Sequence, residues 1–113
     1  AGELGGATLR SARLVTLASL HTALGAFDKG EDALHAALGN LPMDPPDYIR
    51  SVFIQRGLLR LHVARGAPID KIYEAAIMVR RLAAPRGLAR HTREVQAILD
   101  RLEGENNQRW RAS

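Results

Sequence analysis

LRSARLVTLASLHTALGAFDKGEDALHAALGNL, residues 9–41, decides the fold. It holds two apolar runs with helical spacing, joined by a short polar turn. Leu9, Ala12, Leu14, Val15, Leu17, Ala18, Leu20, Ala23 and Leu24 recur at i, i+3 and i+4, the pattern of an amphipathic helix. That spacing predicts a helix from about Thr8 to Ala26. The run breaks at Phe27-Asp28-Lys29-Gly30 and resumes through Ala33, Leu34, Ala37, Leu38 and Leu41. Asp28 and Glu31 read as an acidic capping box for this second helix, and Pro42 stops it.

The same organisation returns between Asp47 and Ala84, with its break at Arg65-Gly66-Ala67-Pro68. Asp44 and Pro45 suit the N-cap and first position of a third helix. That helix continues to about Ala64 through Ile49, Val52, Phe53, Leu58, Leu59, Leu61 and Val63. Gly57 inside it costs roughly 1 kcal/mol relative to Ala, which a close helix crossing would justify. Gly66 suits the residue after the helix end. Pro68 opens a fourth helix through Ile69, Ile72, Tyr73, Ala76, Ile77, Val79 and Leu82, and Pro85 ends it. Thr92 is a candidate N-cap for a last helix carrying Val95, Ile98, Leu99 and Leu102, with Gly104 as its stop. Residues 1–7 read as a flexible leader, 8–104 as the helical domain and 105–113 as a polar tail containing Trp110.

The chain has 113 residues, 46% of them hydrophobic, enough for one domain with a modest core. Aromatics are only 4%, so the core must be built from Ala, Leu, Val and Ile. Small side chains let helices approach closely, which favours helix-on-helix packing. The absence of cysteine excludes a disulfide framework and a cysteine-based zinc site. No apolar run reaches the ~20 residues that span a bilayer, and the first residues carry neither a basic start nor an apolar stretch of a signal peptide. A cytoplasmic, membrane-free protein is expected. The net charge of +4 is an ordinary solubility margin and does not itself imply nucleic acid.

Repetition of a helical hairpin at roughly 35–40 residues marks a stacked array. The first hairpin resembles a tetratricopeptide repeat. Leu17, Leu20 and Leu24 match the first-helix positions, Asp28-Lys29-Gly30 the turn, Ala33 the packing alanine, and Pro42 follows the second helix. His21 and Asn40 depart from the pattern where small residues are usual. In the second hairpin Gly66 matches the turn, whereas Lys71 takes the small position and Pro68 is unusual. Ser11-Ala12-Arg13, Arg80-Arg81-Leu82-Ala83-Ala84-Pro85 and the closing stretch from Val95 to Leu102 are similar to the C-terminal tetratricopeptide region of actinobacterial helix-turn-helix regulators. The resemblance implies an all-α, TPR-like array of about five helices, closed by a C-terminal helix. It implies a non-catalytic peptide-interaction module, the sensing or oligomerising part of a bacterial transcriptional regulator, with any DNA contact left to a separate domain. Such arrays often dimerise, so a second copy is an expected partner.

In that resemblance the first helix of each hairpin lines a concave groove. Arg56 and Arg60, four residues apart, would face it, and Arg90 and Arg93 would extend it. Tyr48 and Phe53 would supply its apolar part. Guanidinium forks bind carboxylates bidentately, which suits an acidic peptide. The plainer reading is a solvated helix face paired with neighbouring acids. No catalytic residue, metal site or cofactor is expected. His21, His35, His62 and His91 are widely separated and no HExxH motif exists. Glu31-Asp32 and Asp44-Asp47 sit at helix starts, where capping explains them. A second function class reads residues 58–81 as a DNA-binding helix-turn-helix. His62 at the crossing position, Pro68 in the turn and the apolar and acidic faces of Asp70 to Val79 oppose it.

Overall fold

The computed structural model describes residues 2–41 and 47–112, with side chains over residues 9–41 and 47–105. The described residues form α1 (Gly2–Ala23), α2 (Phe27–Gly39), α3 (Tyr48–Arg65), α4 (Ile69–Ala83) and α5 (Ala89–Ala112), with one 3-10 turn over Ala84–Arg86. No strand occurs among them. The all-α architecture of about five helices follows the apolar periodicity. Each helix packs on the next in the chain, and α1 also touches α3. The molecule is therefore a stacked row, 59 × 33 × 18 Å, rather than a sphere.

Several boundaries differ from those the sequence predicts. Helix α1 begins at Gly2, so most of the expected leader is helical, and α5 runs through Gly104 to Ala112. A single Gly in a long helix costs too little to end it. Thr92 is not a cap, because its hydroxyl donates back to Ala89 O inside α5. Asp28 and Glu31 form no capping box: α2 starts from Ala26 with no side-chain cap, and both acids bond to Arg65 instead. Helix α3 is capped by Asp47, whose Oδ1 accepts from Arg50 N at 3.1 Å. Pro42, Asp44 and Pro45 lie outside the described residues.

The turn that matters in the first hairpin is Gly25-Ala26, not Asp28-Lys29-Gly30. Gly25 and Gly66 are left-handed, at φ 79° and 67°. In both turns the following alanine amide reaches back five residues: Ala26 N to His21 O at 2.8 Å, Ala67 N to His62 O at 2.9 Å. This is the Schellman closure, which satisfies carbonyls a helix end would leave bare. The two segments are HTALGA (21–26) and HVARGA (62–67), so the repeat is legible in sequence once aligned on these glycines.

Two apolar clusters meet at α3. Ile54, Leu58 and Leu61 pack with Ala18 of α1 and Ala33, Leu34 and Ala37 of α2. Val52 and Leu59, on another side of α3, pack with Ile72, Ala76 and Val79 of α4 and Val95, Leu99 and Leu102 of α5. Two glycines permit the close approach. A Cβ on Gly57 would lie 3.2 Å from Leu34 Cδ2, as expected for a crossing. One on Gly30 would lie 2.9 Å from Thr22 Oγ1, 3.1 Å from Leu61 Cδ1 and 3.3 Å from Ala18 O. Gly30 is thus a packing residue inside α2 rather than a turn residue. The leucines that carry the family resemblance are exposed, Leu17 and Leu20 on α1 and Leu24 in the turn after it, and Leu9 on α1 is exposed too.

Gly30→Ala is expected to destabilise the fold by about 1–3 kcal/mol, because overpacking against a fixed carbonyl outweighs the gain in helix propensity. Gly104→Ala, with nothing within 4 Å of its added carbon, is expected to stabilise it by up to about 1 kcal/mol. Urea denaturation of the two variants, read by circular dichroism, checks the opposite signs.

Candidate functional site

Because α3 buries two of its sides, Ile49, Phe53, Arg60 and the partly buried Arg56 line up on an outer stripe, beside other exposed residues such as Tyr48, Arg50 and Ala64. In chain order the four stand at i, i+4, i+7 and i+11 and share one helix face. Ile49 and Phe53 are 57% and 48% exposed, high values for large apolar side chains. The arginines turn from this stripe toward α5. Arg60 Nε donates to Glu94 Oε1 at 2.7 Å. Arg56 Nη1 lies 3.0 Å from His91 Nδ1 and 3.7 Å from Glu94 Oε2. The Phe53 and His91 rings meet edge to face, with centroids 5.0 Å apart, and the Arg56 guanidinium lies 5.2 Å from the Phe53 centroid.

A guanidinium can only donate, so His91 Nδ1 accepts and its proton sits on Nε2. Burial lowers the His91 pKa first, and the field of Arg56 lowers it further. Arg56 is itself held below its usual value, by burial and then by Arg60, with Glu94 opposing and Arg90 adding to the depression. The hydrogen bond from Arg60 keeps the Glu94 carboxyl below its ordinary range, against a desolvation effect that raises it. Glu94 is thus an anion facing two guanidiniums, Arg56 and Arg60, and Arg90 adds its field at Arg56 and His91. The local charge balance is positive.

A second polar cluster lies where α2, α3 and α4 meet. Arg65 donates to Asp28 Oδ1 and, at 3.3 Å, to Glu31 Oε2, and its guanidinium stacks 5.7 Å from the Phe27 centroid. The bond to Asp28 is the main cause of a raised Arg65 pKa. His62 Nε2 and His35 Nε2 lie 3.7 and 3.9 Å from Glu31 Oε1, and His62 Nδ1 is buried with no hydrogen-bond partner. Burial lowers the His62 pKa, with Glu31 opposing and Lys71, Arg65 and His35 assisting. A shallow cleft of about 330 Å³ opens beside these groups, lined also by Lys71 and Glu74. Among the described residues no group of three or more His, Cys, Asp or Glu is placed to hold a metal ion.

Of the residues singled out from sequence, Phe53, Arg56 and Arg60 come together, and Arg90 adds its charge to them. Tyr48 lies elsewhere, under the Arg86 guanidinium at 3.7 Å from the ring centroid. Arg93 turns back to Ala89 O of its own helix at 3.4 Å. The Trp110 side chain is outside the described side chains. His91 and Glu94 escaped the sequence reading because they come from another helix: they stand 35 and 34 residues after Arg56 and Arg60, whereas the repeated turns are 41 residues apart. No protein-family profile, no curated protein and no solved structure matches the chain.

These ionisations give stability a definite pH dependence. His62 and His91 have folded-state pKa values below the unfolded value of about 6.5, so the unfolded chain binds more protons near that pH. Their contribution is complete above about pH 6.5 and is lost as pH falls below it. Glu94, also depressed, adds a loss below the ordinary carboxylate range of about 4.3. The urea midpoint should therefore fall on acidification, and His62→Gln should flatten the first part of that fall.

Proposed function

We propose that the chain is a non-catalytic interaction module that captures an acidic peptide segment on the face formed by α3 and α5. The observation that carries this reading is the pair of guanidiniums, Arg56 and Arg60, on one carboxylate, with Arg90 adding positive field at Arg56, beside the exposed side chains of Phe53 and Ile49. Fixed guanidiniums supply charge and direction, while the apolar stripe supplies the burial that charge pairs in water lack. The hairpin repeat with its Gly-Ala turns, and the buried packing position of Ala33, support a stacked scaffold for such a face. The resemblance of the Arg80 to Pro85 stretch and the closing helix to actinobacterial regulators supports a role as the sensing or self-association part of a bacterial transcriptional regulator. No described helix is long and apolar enough to cross a membrane, which agrees with a cytoplasmic setting. The exposed leucines of α1 agree with self-association.

Fluorescence anisotropy with a labelled glutamate–leucine peptide tests the reading. The wild-type chain should bind it in a salt-dependent manner. Arg60→Glu with Arg90→Glu should weaken binding at least about tenfold, the scale of losing charge-assisted hydrogen bonds, with helical circular dichroism unchanged. Equal binding by the variant would remove this face from the function. Tight, sequence-selective binding of duplex DNA by the chain alone would favour the helix-turn-helix reading of residues 58–81.

A further inference from the structure

The carboxylate at the arginine pair already has an occupant from the chain itself. We propose that Glu94 is an intramolecular competitor: it holds the Arg56–Arg60 fork closed, and an incoming acidic segment binds by displacing it. The inference rests on the reading of the α3–α5 face as an acidic-segment site and adds its regulation.

Three observations support displacement rather than a permanent tie. The contact is open to water, since the side chains of Arg60 and Glu94 are 57% and 26% exposed. Its grip is uneven: Arg60 makes a short bond at 2.7 Å, whereas Arg56 stands 3.7 Å from the second oxygen and spends its hydrogen bond on His91. Arg56 therefore keeps its orientation without Glu94, because His91 and the Phe53 ring hold it from behind, while Arg60 is freed to meet the incoming carboxylate. Helix α5 does not depend on the pair either, being anchored by buried Val95, Leu99 and Leu102. A rotation of the Glu94 side chain alone would vacate the site, leaving the backbone where it is.

Exposed ion pairs bias their closed state only modestly. Removing the internal carboxylate should then raise affinity by the inverse of the open fraction, roughly two- to fivefold. The experiment compares wild type, Glu94→Gln and Glu103→Gln with the labelled glutamate–leucine peptide. Glu103 is exposed on the same helix, so its variant makes the same change in net charge away from the fork. Glu94→Gln should tighten binding about two- to fivefold, Glu103→Gln much less, and the gain should vanish in an Arg60→Ala background. Unchanged or weaker binding by Glu94→Gln, with wild type still binding, would overturn the competitor role and leave the peptide reading standing. No binding by any of the three proteins would overturn both. Equal gains from the two charge-removing variants would assign the effect to net charge and overturn competition at the fork. Displacement of the peptide by millimolar inorganic phosphate would show the fork accepting a free oxyanion. Phosphate failing to displace it, while free glutamate–leucine peptide does, would restrict the site to the peptide.

Discussion

Helix α3 belongs to two cores at once, and the rest of the structure depends on that. A helix buried on one side can be satisfied by one neighbour. One that buries Ile54, Leu58 and Leu61 on one side and Val52 and Leu59 on another must be enclosed by two hairpins. The price of the double burial is a narrow free face. Its residues cannot be chosen for packing, so they can be chosen for contact with α5 and with solvent. The positions of Phe53, Arg56 and Arg60 therefore follow from the same constraint that orders the helices.

Polar contacts repeat this logic at the edges of α3. Arg65 reaches α2 through Asp28 and Glu31, while Arg56 and Arg60 reach α5 through His91 and Glu94. These pairs are separated by 34 to 37 residues, so the ties cross between helices rather than along one of them. They are not alike, however. The Arg65 cluster adjoins a buried His62, so removing an acid there strands polar groups at a cost. The Arg60–Glu94 pair faces water and could be exchanged at little expense to the fold.

The fold was legible because periodicity survives any error in the ends. The apolar spacing in residues 9–41 gives two helices whether the turn is placed at Gly25 or at Gly30. What failed was the assignment of roles to short polar motifs. Asp28 and Glu31 have the spacing of a capping box, but an arginine from another helix competes for the same carboxylates, and charge-assisted bonds to Arg65 outcompete bonds to backbone amides. Gly30 looks like a turn glycine because Asp-Lys-Gly is turn chemistry. Only the closeness of Thr22, Ala18 and Leu61 shows that it is kept for want of a Cβ. Thr92 and Gly104 failed similarly, since caps and stops are weak local preferences: Thr92 lies within the packed stretch through His91, Val95 and Leu99, and a single Gly costs too little to end the helix at Gly104.

The site was half legible for a related reason. A spacing of four residues on one helix brings Arg56 and Arg60 together whatever the tertiary structure, so that pair needed no contact map. Their partners come from another helix, and single-helix spacing says nothing about them. The shared HTALGA and HVARGA segments do not supply the missing register: they are offset by 41 residues, and the same offset from Arg56 and Arg60 leads to Ala97 and Arg101 rather than to His91 and Glu94. The α5 neighbours of the pair are set by how that helix packs on α3, which only the tertiary structure shows. Here the neighbours divide the labour: neutral His91 fixes the direction of Arg56, and anionic Glu94 covers the charge of Arg60. Arg90 adds its positive field at Arg56 and His91, so the cluster carries more cation than anion.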